Sequence, residues 1–397
     1  MSDGQPMRVV IVGGGIAAAE LALALADLAA DHVSMTIVSP SEDLVMRPFS
    51  PGAPFSVHAR THYPMEALTE ATGAAHVRDT VVAVHPGAAH VELSSGERVA
   101  YDALALVTGA RAVNPFRQAM TFRGDRVAIA YSGLLSDIEQ GYTTSVAFVV
   151  PQGMSWPLPL YELALMTARE ARAMGVDPDL TLVTPESHPL ALFGPAGSAA
   201  VAELLQRAGV SFAGEMEVEE PEPGVFTTAG GRPLDVQRVV TIPVLEGIGL
   251  PGVPADAHGF VPIDEQCRVR GLADAFAAGD GTSSPIKQGG IACQQADAVA
   301  QEIARLAGAA VEPEPVRPVL RGRLMTGHAV RYLSDHDPSG AEPEQPVLFA
   351  AHRKVDGRYL SPWLATLEGG APVAPDQPAD AGEAVEVDVS VPPATPA

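Results

Sequence analysis

The chain has 397 residues, 47% of them hydrophobic, and sets 48 acidic side chains against 25 basic ones for a formal charge of −23. The length exceeds one ordinary domain, and the charge repels nucleic-acid phosphates and anionic lipid headgroups, which argues against both as general partners. Two cysteines, Cys267 and Cys293, exclude a disulfide framework and fit a cytoplasmic location.

Residues 7–40 read as strand (Arg8–Val12), glycine turn, helix (Ile16–Ala30) and strand (Ser34–Ser39), a compact parallel crossover. Its turn, "VVIVGGGIAAAE" (9–20), carries the pattern Gly13-x-Gly15-x-x-Ala18. Gly13 permits the tight turn, Gly15 lets the backbone approach a pyrophosphate, and Ala18 is small enough for helix to pack on strand. The helix N-terminus offers free N–H groups to the phosphates. The acid that usually binds a ribose hydroxyl after the second strand is missing. Ser39, in "TIVSPSED", stands in its place, with Glu42 and Asp43 nearby.

Residues 76–107 alternate as strands around the turns Pro86-Gly87 and Ser95-Gly96. From 116 to 244 the α/β rhythm returns: strand 145–150, helix 159–174, strand 180–184, helix 196–208, strand 210–213. A third block, 245–308, ends in a helix predicted over 287–307. The C-terminal piece includes "GRYLSPWLATL", which Pro362 is expected to interrupt. Residues 371–397 are rich in proline and acids without a basic residue, the composition of a disordered tail. No uninterrupted apolar run approaches the roughly 18 residues of a membrane span, and stable membrane attachment is not expected. The histidines show no metal spacing: His58 and His62 lie in a proline-rich loop, and His188 is a weak proton-donor candidate.

Two further stretches carry a family resemblance. "YDALALVTGAR" (101–111) resembles the strand and Thr-Gly turn that return beneath a bound FAD, and "GLADAFAAGDGTSSPIKQGGIACQQADAVAQEIA" (271–304) resembles the second FAD motif. With the first turn, these look like the pyridine nucleotide-disulfide oxidoreductase superfamily. The nearest branch in pattern is that of sulfide:quinone oxidoreductase, flavocytochrome c sulfide dehydrogenase and type II NADH dehydrogenase. The resemblance implies an α/β fold of two Rossmann-like domains, the second inserted in the first. It implies an FAD domain over 1–115 and 245–318, an NAD(P)-binding-like domain over 116–244, a C-terminal segment 319–370 and the tail 371–397.

The resemblance also implies roles. Gly13, Gly15 and Ala18 would hold the pyrophosphate, and Val81 would touch adenine through its backbone. Thr108 and Gly109 would line the ribityl path, Asp280 would hold a ribityl hydroxyl, and Gly279 would leave room for it. Arg47 and Pro48 would lie near the isoalloxazine ring, and Lys287 and Gln288 would open a helix at its pyrimidine edge. A lysine and a helix N-terminus there would stabilise the reduced flavin. The FAD is expected to be noncovalent, since residues 40–60 hold no cysteine.

In the middle block, "PQGMSWPLPLYE" (151–162) stands where the superfamily places a second glycine turn for NAD(P)H. Pro151 and Pro157 remove N–H donors, and Trp156 is too large where a backbone must meet a phosphate. Tight NAD(P)H binding is therefore expected to be lost or unusual, with Glu186 a candidate ribose acid. Trp156 is a candidate for the flavin or substrate pocket and equally for a buried core position. Cys267 is expected on a surface strand and Cys293 packed on a helix, which disfavours the cysteine pair of sulfide oxidation. Gln294 and Gln295 resemble the glutamines that approach a quinone in type II NADH dehydrogenases. The expectation is an FAD-dependent oxidoreductase passing two electrons from a small donor to a quinone or similar acceptor, with a homodimer as the candidate oligomer. The alternatives are an NAD(P)H-dependent flavin reductase and a non-catalytic flavin-binding sensor or scaffold.

Overall fold

The computed structural model describes residues 5–55, 60–326, 330–332, 354–369 and 387–388. The chain begins with β1 (Met7–Val12), α1 (Ile16–Ala29) and β2 (Val33–Val38), then α2 (Met65–Thr72) and β3 (Ala75–Val77). A three-stranded antiparallel meander follows, β4 (Val81–His85), β5 (His90–Leu93) and β6 (Arg98–Ala100), before β7 (Ala103–Leu106). The next elements are β8 (Met120–Thr121), α3 (Asp125–Glu139), β9 (Ser145–Val149), α4 (Leu158–Ala173), β10 (Asp179–Val183), α5 (Gly194–Ala208), β11 (Val210–Ala213) and β12 (Arg238–Thr241). The chain then returns with β13 (Ala275–Ala277), α6 (Gly289–Leu306) and α7 (Leu360–Leu367).

Two five-stranded parallel sheets result. The first runs β13-β7-β1-β2-β3 and the second β8-β12-β9-β10-β11. In each, the central strand has its successor β2 or β10 on one side and a later strand, β7 or β12, on the other. The crevice beyond the carboxyl ends of strands at such a reversal is where open α/β sheets take ligands. The last four residues of each central strand, Val9–Val12 and Val146–Val149, are buried, consistent with apolar runs covered on both faces.

The helices of the first sheet meet through alanine. Ala17, Ala18, Ala22 and Ala24 of α1 share a core with Ala292, Ala296, Ala300 and Ala304 of α6, and the small side chains let the two helices pack directly on each other. The second sheet has its own core, centred on Phe148, Leu163, Leu182 and Phe193.

Pro362 does not interrupt the C-terminal helix. It occupies the first turn of α7, where a missing N–H costs nothing. The helix packs on α1, and Trp363 lies 6.4 Å from Tyr63 between ring centroids. Within the stretch expected to be disordered, Val387–Asp388 pair antiparallel with Val319–Leu320. The rest of 371–397, and His58, lie outside the described residues.

Candidate functional site

Three turns meet beyond the carboxyl edge of the first sheet. Gly13 has a φ of +125°, donates its N–H to the Val38 carbonyl at 2.9 Å, and sits so close to Val107 that a Cβ would overlap the Val107 carbonyl. A Cβ on Gly14 would collide with the Ser39 side chain. Around Gly15 there is nothing within 4 Å of a Cβ position, and α1 starts there with no side-chain cap. That uncapped first turn is the positive end of the helix. The second turn, Thr108-Gly109, abuts the third: a Cβ on Gly281 would lie 2.8 Å from the Gly109 carbonyl oxygen and 3.3 Å from Thr108 Oγ1.

The third turn presents Asp280. Its carboxyl makes no hydrogen bond among the described residues, and burial raises its pKa while Lys287 and then Arg47 hold it down. Lys287 donates to the Thr282 carbonyl, and its Nζ lies 3.8 Å from the centroid of the Phe260 ring. Burial brings the Lys287 pKa down to about 8, opposed by Asp280 and Asp256. Arg47 is exposed at the start of a 3₁₀ segment and has no hydrogen bond among the described residues. A glycine cradle, an uncapped helix N-terminus and an unpartnered carboxylate fit an extended dinucleotide cofactor. Thus Gly13, Gly15, Thr108, Gly109, Gly279, Asp280, Lys287 and Arg47 come together.

The other predicted residues make the following contacts within the chain. Ala18 is fully buried, packing α1 onto the sheet. The Ser39 side chain is buried, and its Oγ accepts the Ser41 N–H at 3.3 Å. Glu42 pairs with Arg78 at the surface. Val81 is buried at the head of β4, opposite Leu93. Lys287 and Gln288 precede α6 rather than beginning it. Gln288 is its N-cap: Oε1 accepts the Ile291 N–H at 2.9 Å, and Nε2 donates to the Arg321 carbonyl at 3.3 Å. The two glutamines compared with quinone ligands are also engaged. Gln294 donates to the Val319 carbonyl and accepts its N–H, both at 2.8 Å, and Gln295 accepts the Gly279 N–H at 2.8 Å. His188 is exposed beside Ser187.

Cys267 is not on a surface strand. It is buried in a turn at φ +58°, where its N–H closes onto the Asp264 carbonyl. Burial raises its pKa to about 12, and burial also raises Cys293 well above a free thiol.

The turn after β9 differs in kind from the turn after β1. Pro157 caps α4 in helical conformation, and Trp156 packs edge-on against Phe193 at 5.8 Å between centroids. Glu186, the candidate ribose acid, accepts from Tyr161 at 2.7 Å and from Thr184 at 3.0 Å on the same oxygen.

Two buried acid clusters had one signal in the sequence, a carboxylate inside an apolar helical run. Glu20, in "AAAELALALA", accepts the N–H groups of Tyr359 and Leu360 at 2.9 and 2.6 Å and so caps α7. Beside it, burial and then Glu20 push Asp297 up to about 9. Glu162, in "LYELALMTA", is fully buried; one oxygen takes Lys354 and the Met325 N–H, at 2.8 Å for the latter, and Oε2 has no hydrogen-bond partner among the described residues.

Residues 7–130 match the family model described as pyridine nucleotide-disulphide oxidoreductase. Over 293 residues the chain is 27% identical to NADH dehydrogenase-like proteins from two strains of Mycobacterium tuberculosis, covering 69% of this chain and 72% of each relative. Sulfide:quinone oxidoreductase from Aquifex aeolicus superposes with a TM-score of 0.73 at 20% identity, covering 82% of both chains. Putidaredoxin reductase, in its covalent complex with putidaredoxin, gives 0.60 at 19% identity over 83% of this chain and 82% of that one. At these identities the two structures speak for the shared fold alone. With the family match over residues 7–130, the two parallel sheets and the three converging turns fit the pyridine nucleotide-disulfide oxidoreductase superfamily, whose members are FAD-dependent oxidoreductases.

Proposed function

We propose that this protein passes two electrons from a small reductant to a quinone or similar small acceptor through noncovalent FAD, without a cysteine pair and without tight binding of NAD(P)H. In this reading residues 1–115 and 245–318 hold the flavin, and 116–244 form a nucleotide-binding frame that has lost its ligand. The observation that carries it is the contrast between the two central-strand turns: Gly15 opens onto free space, whereas prolines and a packed Trp156 occupy the equivalent turn after β9. Two buried thiols with raised pKa values disfavour a thiolate relay.

FAD, when bound, supplies the two-electron chemistry. The chain's part is to hold and tune it. The Gly13–Gly15 turn and the α1 N-terminus would take the pyrophosphate, and Asp280 a ribityl hydroxyl. Lys287 and Arg47 would supply positive charge near the ring, favouring its reduced, anionic form. Among the described residues no helix is long and apolar enough to cross a membrane.

The second reading, an NAD(P)H-dependent reductase, is favoured by the likeness to the mycobacterial NADH dehydrogenase-like proteins. Anaerobic titration of the yellow protein separates the two. Under the first reading, equimolar NADH or NADPH leaves the flavin band unbleached, while dithionite-reduced protein is reoxidised by a soluble quinone. Prompt bleaching by either nicotinamide would establish the second reading instead. Failure of quinone to reoxidise the flavin would remove the proposed acceptor.

A further inference from the structure

Gln295 is almost fully buried in the middle of α6, a place where an amide needs a reason. Its Oε1 accepts the backbone N–H of Gly279 at 2.8 Å, across 16 residues of sequence. Gly279 is itself wedged between helices: a Cβ there would lie 3.4 Å from that of Ala292 on α6 and 3.5 Å from that of Ala17 on α1. The turn it begins is otherwise held by short-range bonds, from the Thr282 N–H and hydroxyl to the Gly279 carbonyl, and by the Val261 N–H bonding to the Gly281 carbonyl. The Gln295 amide is thus the side-chain link from α6 to the N–H at the head of the turn. Asp280 follows immediately, its carboxyl without a hydrogen-bond partner among the described residues.

We propose that Gln295 is a positioning residue for the flavin: by fixing the Gly279 N–H to α6 it aims the Asp280 carboxylate at the cofactor's ribityl chain. The inference rests on the flavin placement above. It assigns Gln295 to cofactor retention rather than to a quinone. A methionine fills nearly the same volume but accepts no comparable bond, whereas glutamate keeps an acceptor oxygen in either protonation state.

The test combines two measurements on the full chain. In flavin-stripped protein, hydrogen exchange of the peptide spanning 275–283 is expected to speed up in Gln295→Met and to stay near wild type in Gln295→Glu. In reconstitution titrations, Gln295→Met is expected to weaken FAD binding about tenfold, the loss of roughly one hydrogen bond's worth of orientation. Asp280→Ala should weaken it at least as much. In the Asp280→Ala background, the methionine change should then add less than about twofold, because its effect runs through that carboxylate.

Additive losses, or an unchanged affinity in Gln295→Met beside a weakened Asp280→Ala, would overturn the positioning role while leaving the flavin placement standing. An Asp280→Ala protein that binds FAD like wild type would overturn the placement itself. Unchanged exchange in Gln295→Met would remove the strut, whatever the flavin does.

Discussion

The two halves of this molecule are built on the same plan and treat the same position differently. Each has a central parallel strand, β1 or β9, running through a turn into a buried helix. After β1 the backbone is pressed against Val107 and Ser39 at Gly13 and Gly14, then opens completely at Gly15. After β9 the start of the helix is occupied instead: Trp156 lies on Phe193, Pro157 caps the helix, and Tyr161 and Thr184 occupy the carboxylate at the end of the next strand. A sheet with its crossover helices is stable without a nucleotide, because its core is apolar. What a nucleotide needs in addition is uncovered backbone N–H groups, and these are cheaply lost to a proline or a large side chain.

Substitutions at matching glycines probe that contrast most directly. Gly13→Ala should have the largest effect. The new Cβ meets a backbone carbonyl that cannot move aside, at a φ of +125°, so a loss of about 3 kcal/mol or more is expected, with the flavin lost too. Denaturant melts and the visible spectrum report both. A Gly13→Ala protein that stays yellow and stable would dissolve the contrast.

The buried acids differ between the halves in a related way. Glu162 in the second half meets a cation, Lys354, whereas Glu20 and Asp297 in the first meet each other and keep a proton. With Asp297 raised to about 9, its folded form retains a proton that the unfolded chain has released above about 4. The unfolded state binds fewer protons through that window, so this group's contribution to stability falls as pH rises from about 4 to about 9. Asp297→Asn keeps the neutral form at every pH. It should stabilise the protein by on the order of 1–2 kcal/mol near pH 8 and by less near pH 5. Thermal melts at both pH values would show it, and an equal gain at each would contradict the shared proton.

The smallest effect is expected at Gly153, in the turn after β9. It has a φ of +76° but nothing within 4 Å of a Cβ position. Gly153→Ala should cost only about 1 kcal/mol, the backbone penalty alone, and leave FAD affinity unchanged. A large loss of flavin there would mean that the second turn contributes to the cofactor site after all.

Much of the fold was legible because it rests on local patterns. The first βαβ unit and helices α4, α5 and α6 lie within a residue or two of their expected bounds, since apolar periodicity and glycine turns are written in adjacent residues. Helix α7 is not legible, because Pro362 reads as a breaker unless it falls in the first turn. Cys267 was misplaced because the residues that bury it come from other elements. For the site, the glycines and Asp280 were readable as motifs, but the engagement of Gln288, Gln294 and Gln295 was not. An amide on a helix looks the same whether it faces solvent, a ligand or the backbone of another turn.

By itself, the sequence determined the two parallel frames, the open first turn and the closed second one, because each depends on the conformational freedom and bulk of a few consecutive residues. Only the tertiary structure decided which polar side chains are spent. Gln295 is tied to Gly279, Glu162 to Lys354 and Glu20 to the start of α7, across separations of 16, 192 and 339–340 residues. Partners so distant are chosen by packing: once the core excludes water, a buried polar group must pair with whatever donor or acceptor the fold brings within reach.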